Sequence, residues 1–110
     1  MGFLNYNKMR LKVYLSKGLE TEVRIFYCPD FKYLLEELKL FPLVKTSGQV
    51  DNILSDNFTI FWTDNEGDKV TIVNDRDLNT ALEFQSKNKE PEVYKIKVIF
   101  KEKIKTKYED

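Results

Sequence analysis

The chain has no histidine and one cysteine in its 110 residues. Without histidine it lacks the side chain best suited to moving protons near neutral pH. Cys28 alone cannot close an internal disulfide, which points to a reducing, cytoplasmic setting. The four glycines form no phosphate-cradling loop. No apolar run approaches the ~20 residues of a membrane-crossing helix, so direct membrane insertion is not expected. The start, Met1-Gly2-Phe3-Leu4-Asn5, lacks the basic and apolar regions of a secretory leader. Gly2 invites a myristoylation reading, but Tyr6 stands where that signal needs Ser or Thr.

Hydrophobic residues make up 42% and aromatics 14%, enough to build one core in a chain of this length. Net charge is zero, but the charges are segregated along the chain. Residues 1–49 hold eight bases and five acids, and residues 87–110 repeat that balance. Residues 50–86 hold two bases and eight acids. A fold with a positive and a negative pole is the expectation; chance clustering on a solvated surface is the plainer alternative.

Alternating apolar residues place strands at Arg10–Leu15 and Glu22–Tyr27, joined by a turn at Lys17-Gly18. Leu11, Val13 and Leu15 share one face of the first strand. Val23, Ile25 and Tyr27 share one face of the second, with Arg24 on the other. Asp30 is placed to cap a helix carrying Phe31, Leu34, Leu35 and Leu38, with Pro42 ending it. Residues 43–57 read as a polar connection, with one helical turn near Val50–Leu54. Strands follow at Phe58–Thr63 and Val70–Val73. A second helix, capped by Asn74 or Asp75, carries Leu78, Ala81, Leu82 and Gln85 and breaks at Asn88–Glu92. Tyr94–Phe100 alternates with lysines as a fifth strand. The order ββαββαβ predicts an α+β, ubiquitin-like β-grasp roll: a mixed five-stranded sheet with two helices. One domain spans residues 10–101, with a flexible start at 1–9 and a charged tail at 102–110. Acids interleave with the terminal lysines, so no nucleic-acid partner is expected.

The densest chemistry lies between Trp62 and Leu78. Asp64, Glu66, Asp68, Asp75 and Asp77 put five carboxylates into fourteen residues. Two like charges ~4 Å apart repel by ~1 kcal/mol in water and several-fold more near a protein surface. Turn chemistry and helix capping explain part of this, since Asp and Asn favour both. Glu66 is not a preferred turn former, and Asp77 exceeds what one cap needs. A calcium EF-hand fails: with Gly67 at position 6, Trp62 and Val73 occupy positions 1 and 12, where oxygen ligands belong. No metal or cofactor is expected. Arg10, Lys12 and Arg24 are read as sharing the outward faces of the first hairpin, with Lys17 in the connecting loop, forming a patch for carboxylates. Any one such base is more simply a solvated residue or an edge guard.

Asp64 to Leu78 resembles the acidic motif of PB1 (Phox/Bem) domains, a D-x-D/E-G-D turn followed by spaced acids opening the second helix. Lys12, between Leu11 and Val13, is similar to the family's basic-cluster lysine, and Arg24 to a base on its second strand. The resemblance runs from about Arg10 to Phe100. Within the family, sequestosome-type autophagy receptors resemble it at Lys12–Leu15, Phe26–Cys28 and Lys101–Lys103. Two positions depart: Asn65 replaces a common acid and Ile25 a common second arginine, so either pairing is weaker or Arg10 and Lys17 compensate.

The resemblance implies a non-enzymatic scaffold that self-associates head to tail, bases against acids. Its setting would be the cytoplasm, in condensates or autophagosome-associated bodies. The alternative is a signalling adaptor pairing with another PB1 protein, such as an atypical kinase. An enzyme is disfavoured: paired carboxylates can cleave glycosides, but these lie in a hairpin turn rather than a cleft.

Overall fold

The computed structural model describes residues 10–46, 55–87 and 92–101. The proposed flexible start, the turn at Val50–Leu54, most of the Asn88–Glu92 break and the tail lie outside these residues. Period-two alternation drives the first hairpin. Strand β1 spans Arg10–Lys17 and buries Leu11, Val13 and Leu15 completely. Strand β2 spans Glu20–Tyr27 and pairs antiparallel with β1. Gly18 has φ +62°, a left-handed turn conformation that costs glycine least.

Helix α1, Phe31–Leu38, starts where the Asp30 carboxylate accepts from the Tyr33 N–H at 2.7 Å. Its buried stripe is Leu34 and Leu38. Pro42 does not end this helix, contrary to the sequence reading. The helix stops at Leu38, and Pro42 opens a separate one-turn helix, α2 (Pro42–Lys45). Proline suits a first helical position, where the missing N–H would have had no partner. The turn buries Phe41 and Val44, so part of the expected polar connection belongs to the core.

A single 3-10 turn at Ser55–Asn57 leads into β3 (Phe58–Thr63), and β4 follows at Lys69–Thr71. The fourth strand ends two residues earlier than the alternation suggested. The Val73 N–H is taken by the Asp77 carboxylate at 3.0 Å, which turns the chain into helix α3 (Asp75–Gln85). Strand β5 (Tyr94–Phe100) enters the middle of the sheet, whose order is β2-β1-β5-β3-β4. It runs parallel to β1 and antiparallel to β3. The β3–β5 pairing extends to Phe61 opposite Lys97. Just beyond it, the Gln85 amide both donates to and accepts from the Lys95 backbone, tying α3 to β5.

The result is the mixed five-stranded β-grasp sheet, with the core on the side facing α1 and α3. Leu78, Ala81 and Leu82 of α3 pack there against Ile60, Ile96 and Val98. Burying each of the leucine, isoleucine and valine side chains contributes about 1.5–3 kcal/mol.

Cys28 lies in this core and its thiol donates to the Asp30 carbonyl at 3.2 Å. Burial pushes the thiol from 9.0 up to about 12, and the carboxylates of Asp30, Glu37 and Asp75 add to the rise. Because the folded value lies above the unfolded one, the protonated thiol favours the fold below pH about 9, a contribution lost as pH rises toward 12. Thiolate is the reactive form. Iodoacetamide at pH 8 should therefore leave the native chain unmodified and label it in denaturing urea; native labelling at the unfolded rate would contradict the buried thiol.

Candidate protein-docking site

The acidic residues divide into two groups by what their carboxylates already do. The loop between β3 and β4 is closed by the Asp64 N–H to the Asp68 carbonyl and the Gly67 N–H to the Asp64 carbonyl, both 3.0 Å. Gly67 has φ +84°, where a side chain would be strained. The Asp64 carboxylate turns inward and accepts from the Glu66 and Asp68 N–H groups, each at 2.9 Å. Asp77 and Asn74 cap α3 reciprocally. The Asn74 amide oxygen accepts from the Asp77 N–H at 2.9 Å, while Asp77 holds the Val73 N–H. Asp75 accepts from the Phe31 N–H at 2.8 Å, so one carboxylate serves the N-termini of both α1 and α3. Three of the five acids thus brace the backbone.

Glu66 and Asp68 do not. Both are exposed, and their carboxylates take no partner among the described residues. Oxygens of Asp64, Glu66 and Asp68 lie within 4.8 Å of one another, close enough to share one cation. Repulsion between these charges is relieved when a cation enters.

The bases divide by sheet face. Lys12 lies opposite Ile25 and Arg10 opposite Tyr27, on the helix-free side. Arg24 lies opposite Val13, whose side chain is in the core, so Arg24 points to the helix side. Its guanidinium sits 5.6 Å from the Phe41 ring centre. The expectation that Arg10, Lys12 and Arg24 share one outward face is therefore corrected by the register. Lys17 is not in the loop either. It ends β1 and donates to the Leu43 carbonyl of α2 at 3.3 Å. The bases meet around the β2–β1 edge instead of across one face.

None of Arg10, Lys12 and Arg24 forms an ion pair with a described carboxylate. Strand β5 separates β1 from the acidic hairpin. Two inter-strand steps make ~10 Å, beyond the ~8 Å screening length near physiological salt. The poles do not neutralise each other within one molecule.

The PB1 domain profile matches residues 9–93, more than half of the chain. The chain belongs to the PB1 domain family. A solved structure described as "Solution Structure of the PB1 Domain of Cdc24p (Long Form)" shares the fold. Its TM-score is 0.51 and its identity 19%, covering 83% of this chain and 95% of that one. No curated protein matches. PB1 domains are protein-protein interaction modules that pair with other PB1 domains.

In this PB1 domain sequence reasoning missed part of the cationic surface. Lys95 is in register beside Lys12, and Lys97 beside Tyr14, on the helix-free side. Lys69 sits on the same side, 5.2 Å from the Phe61 ring centre. The alternation placed Lys95 and Lys97 on an outer face, but nothing local could say that β5 would lie against β1. The strand residues of this side include five bases, Arg10, Lys12, Lys69, Lys95 and Lys97, and no acid.

The division among the acids is testable by stability. Asp75→Ala and Asp77→Ala each remove a helix-terminal acceptor and should cost about 0.5–2 kcal/mol in urea unfolding. Glu66→Ala and Asp68→Ala should stay within about 0.5 kcal/mol of the parent, as exposed sites without a structural bond do. Equal costs at all four positions would contradict the division.

Proposed function

We propose that this PB1 domain self-associates head to tail as the oligomerisation module of a sequestosome-like selective autophagy receptor in the cytoplasm. The observation that carries the pairing is the coexistence of unpaired cations at the β2–β1 edge and unpaired carboxylates, Glu66 and Asp68, on the β3–β4 loop. Lys12 of one molecule enters the cradle of Asp64, Glu66 and Asp68 on the next. Lys95 lies beside it, and Arg10 and Arg24 flank it. Lys17, held by Leu43, shapes this edge more than it reaches outward. Asp75 and Asp77 set the position of the acidic surface and add to its field.

One exposed ion pair contributes only ~0–1 kcal/mol, whereas micromolar affinity needs about 8. Three carboxylates around one ammonium, with further bases beside it, supply linked contacts of the kind required. Such a contact uses different surfaces on each molecule, does not close on two-fold symmetry, and extends into rings or filaments. Multivalency of this kind gathers ubiquitinated cargo in the receptors this reading invokes. The subfamily reading rests on Lys12–Leu15 and Phe26–Cys28; Lys101–Lys103 lies mostly outside the described residues.

Sedimentation velocity tests the scheme. The parent domain should form concentration-dependent oligomers at low salt that shrink as salt rises. Lys12→Ala and Asp68→Ala should each abolish extension, and mixing them should restore one complementary pairing between the two variants. Unchanged oligomer size in either single variant would refute it. A parent that shows no salt-sensitive association at low salt would transfer the same residues to pairing with a different PB1 protein.

A further inference from the structure

Strand β2 is the long edge of the sheet: eight residues paired with β1 alone, against three residues in β4 at the other edge. An edge of this length offers a row of backbone donors and acceptors to another strand, and soluble proteins usually guard it with charge, proline or a bulge. On its helix-free side β2 has none of these. Thr21, Val23, Ile25 and Tyr27 face that way, and the last three are 44%, 53% and 54% exposed. Leu19, in the adjoining turn, is fully exposed. The charges of β2 lie on the other side, as Glu20, Glu22 and Arg24.

We propose that β2 pairs antiparallel with β2 of a second copy, about a two-fold axis through Val23. The sequence of the strand selects this register. Centred on Val23, Glu22 lies opposite Arg24 of the second copy, and symmetry repeats the pair. On the other face Val23 meets its own counterpart, Thr21 meets Ile25 and Leu19 meets Tyr27. Opposite charges and apolar pairs directly across a ladder are favourable, and like charges there are not. Centring on Glu22 or Arg24 would set a residue against its own charge. Centring on Thr21 would oppose Glu20 to Glu22, and centring on Ile25 would leave Glu22 and Arg24 without opposite charges. The contact is isologous and closes as a dimer. It is independent of the head-to-tail reading, with which it shares only Arg24.

The test uses the full chain carrying Lys12→Ala and Asp68→Ala, so that head-to-tail extension is removed. Sedimentation should show a monomer–dimer equilibrium. Adding Arg24→Glu should abolish the dimer, and Glu22→Arg with Arg24→Glu should restore it. Glu22 also accepts from the Leu43 N–H at 3.1 Å, so a second readout avoids that change. Residues directly opposite have Cβ atoms ~4.5–5.5 Å apart, within reach of a disulfide after slight adjustment. Val23→Cys should therefore cross-link into a covalent dimer under mild oxidation. Thr21→Cys should not, because its counterpart lies four residues along the ladder, ~14 Å away. The buried Cys28 does not compete. A background variant that stays monomeric at every concentration, or Val23→Cys cross-linking no faster than Thr21→Cys, overturns the proposal.

Discussion

The parallel pairing of β1 with β5 is the constraint on which the charge arrangement depends. It inserts a strand between the N-terminal hairpin and the acidic one, so that Arg10, Lys12 and Arg24 stand apart from the acidic loop. Were β1 paired directly with β3, Lys12 would lie one strand spacing from the acidic hairpin, ~4.8 Å nearer and inside the screening length. The same pairing aligns Lys95 with Lys12, which concentrates like charge on the helix-free side. Such a concentration of like charge costs stability in the isolated domain, a cost that an anionic surface would offset.

The acidic region has a second constraint: its carboxylates must hold their own backbone before they can present charge. Asp64 bonds two N–H groups of its loop, and so fixes where Glu66 and Asp68 project. Asp75 joins the starts of α1 and α3, whose partial positive ends favour an anion. A rigid cradle loses less conformational freedom on receiving a cation than a loose loop does. Asp64, Asp75 and Asp77 therefore brace the backbone while Glu66 and Asp68 stay exposed, so the cluster exceeds what capping alone requires.

Much of this was legible in the sequence, for reasons specific to each element. The alternation of Leu11, Val13 and Leu15 marked β1, and the helical spacing of Leu34, Leu35 and Leu38 marked α1. Gly67 marked the acidic turn, where the backbone adopts φ +84°. Pro42 misled because proline both ends and begins helices, and the buried side chains Phe41 and Val44 that decide between these are a tertiary matter. The outward placement of Arg24 on β2 misled for a related reason. Its apolar set, Val23, Ile25 and Tyr27, resembles a core face, yet the pairing of Arg24 with Val13 turns that set outward. Core placement there is decided by the register of the hairpin, and a shift of one residue exchanges the faces. The partners of the individual carboxylates depend on distances across up to 44 residues of chain, as in Phe31 to Asp75, and no local pattern encodes them.

The outward apolar face of β2 bears on assembly. A hydrophobic row on an edge strand is a liability in a monomer, and its presence here beside separated charges is what the two proposed contacts, of different symmetry, would use. A heterologous contact extends without closing, whereas an isologous one joins molecules in pairs. Together they would join head-to-tail chains of molecules in pairs, with Arg24 at the junction of both. The two proposed contacts differ in physical character. The first consists of separated charges and weakens as the screening length shortens. The second consists of backbone hydrogen bonds and apolar pairs, with Glu22 and Arg24 as its only ionic element, and salt touches it far less. Raising the ionic strength should therefore dissect such an assembly in order, dissolving the extended chains first and leaving paired molecules behind.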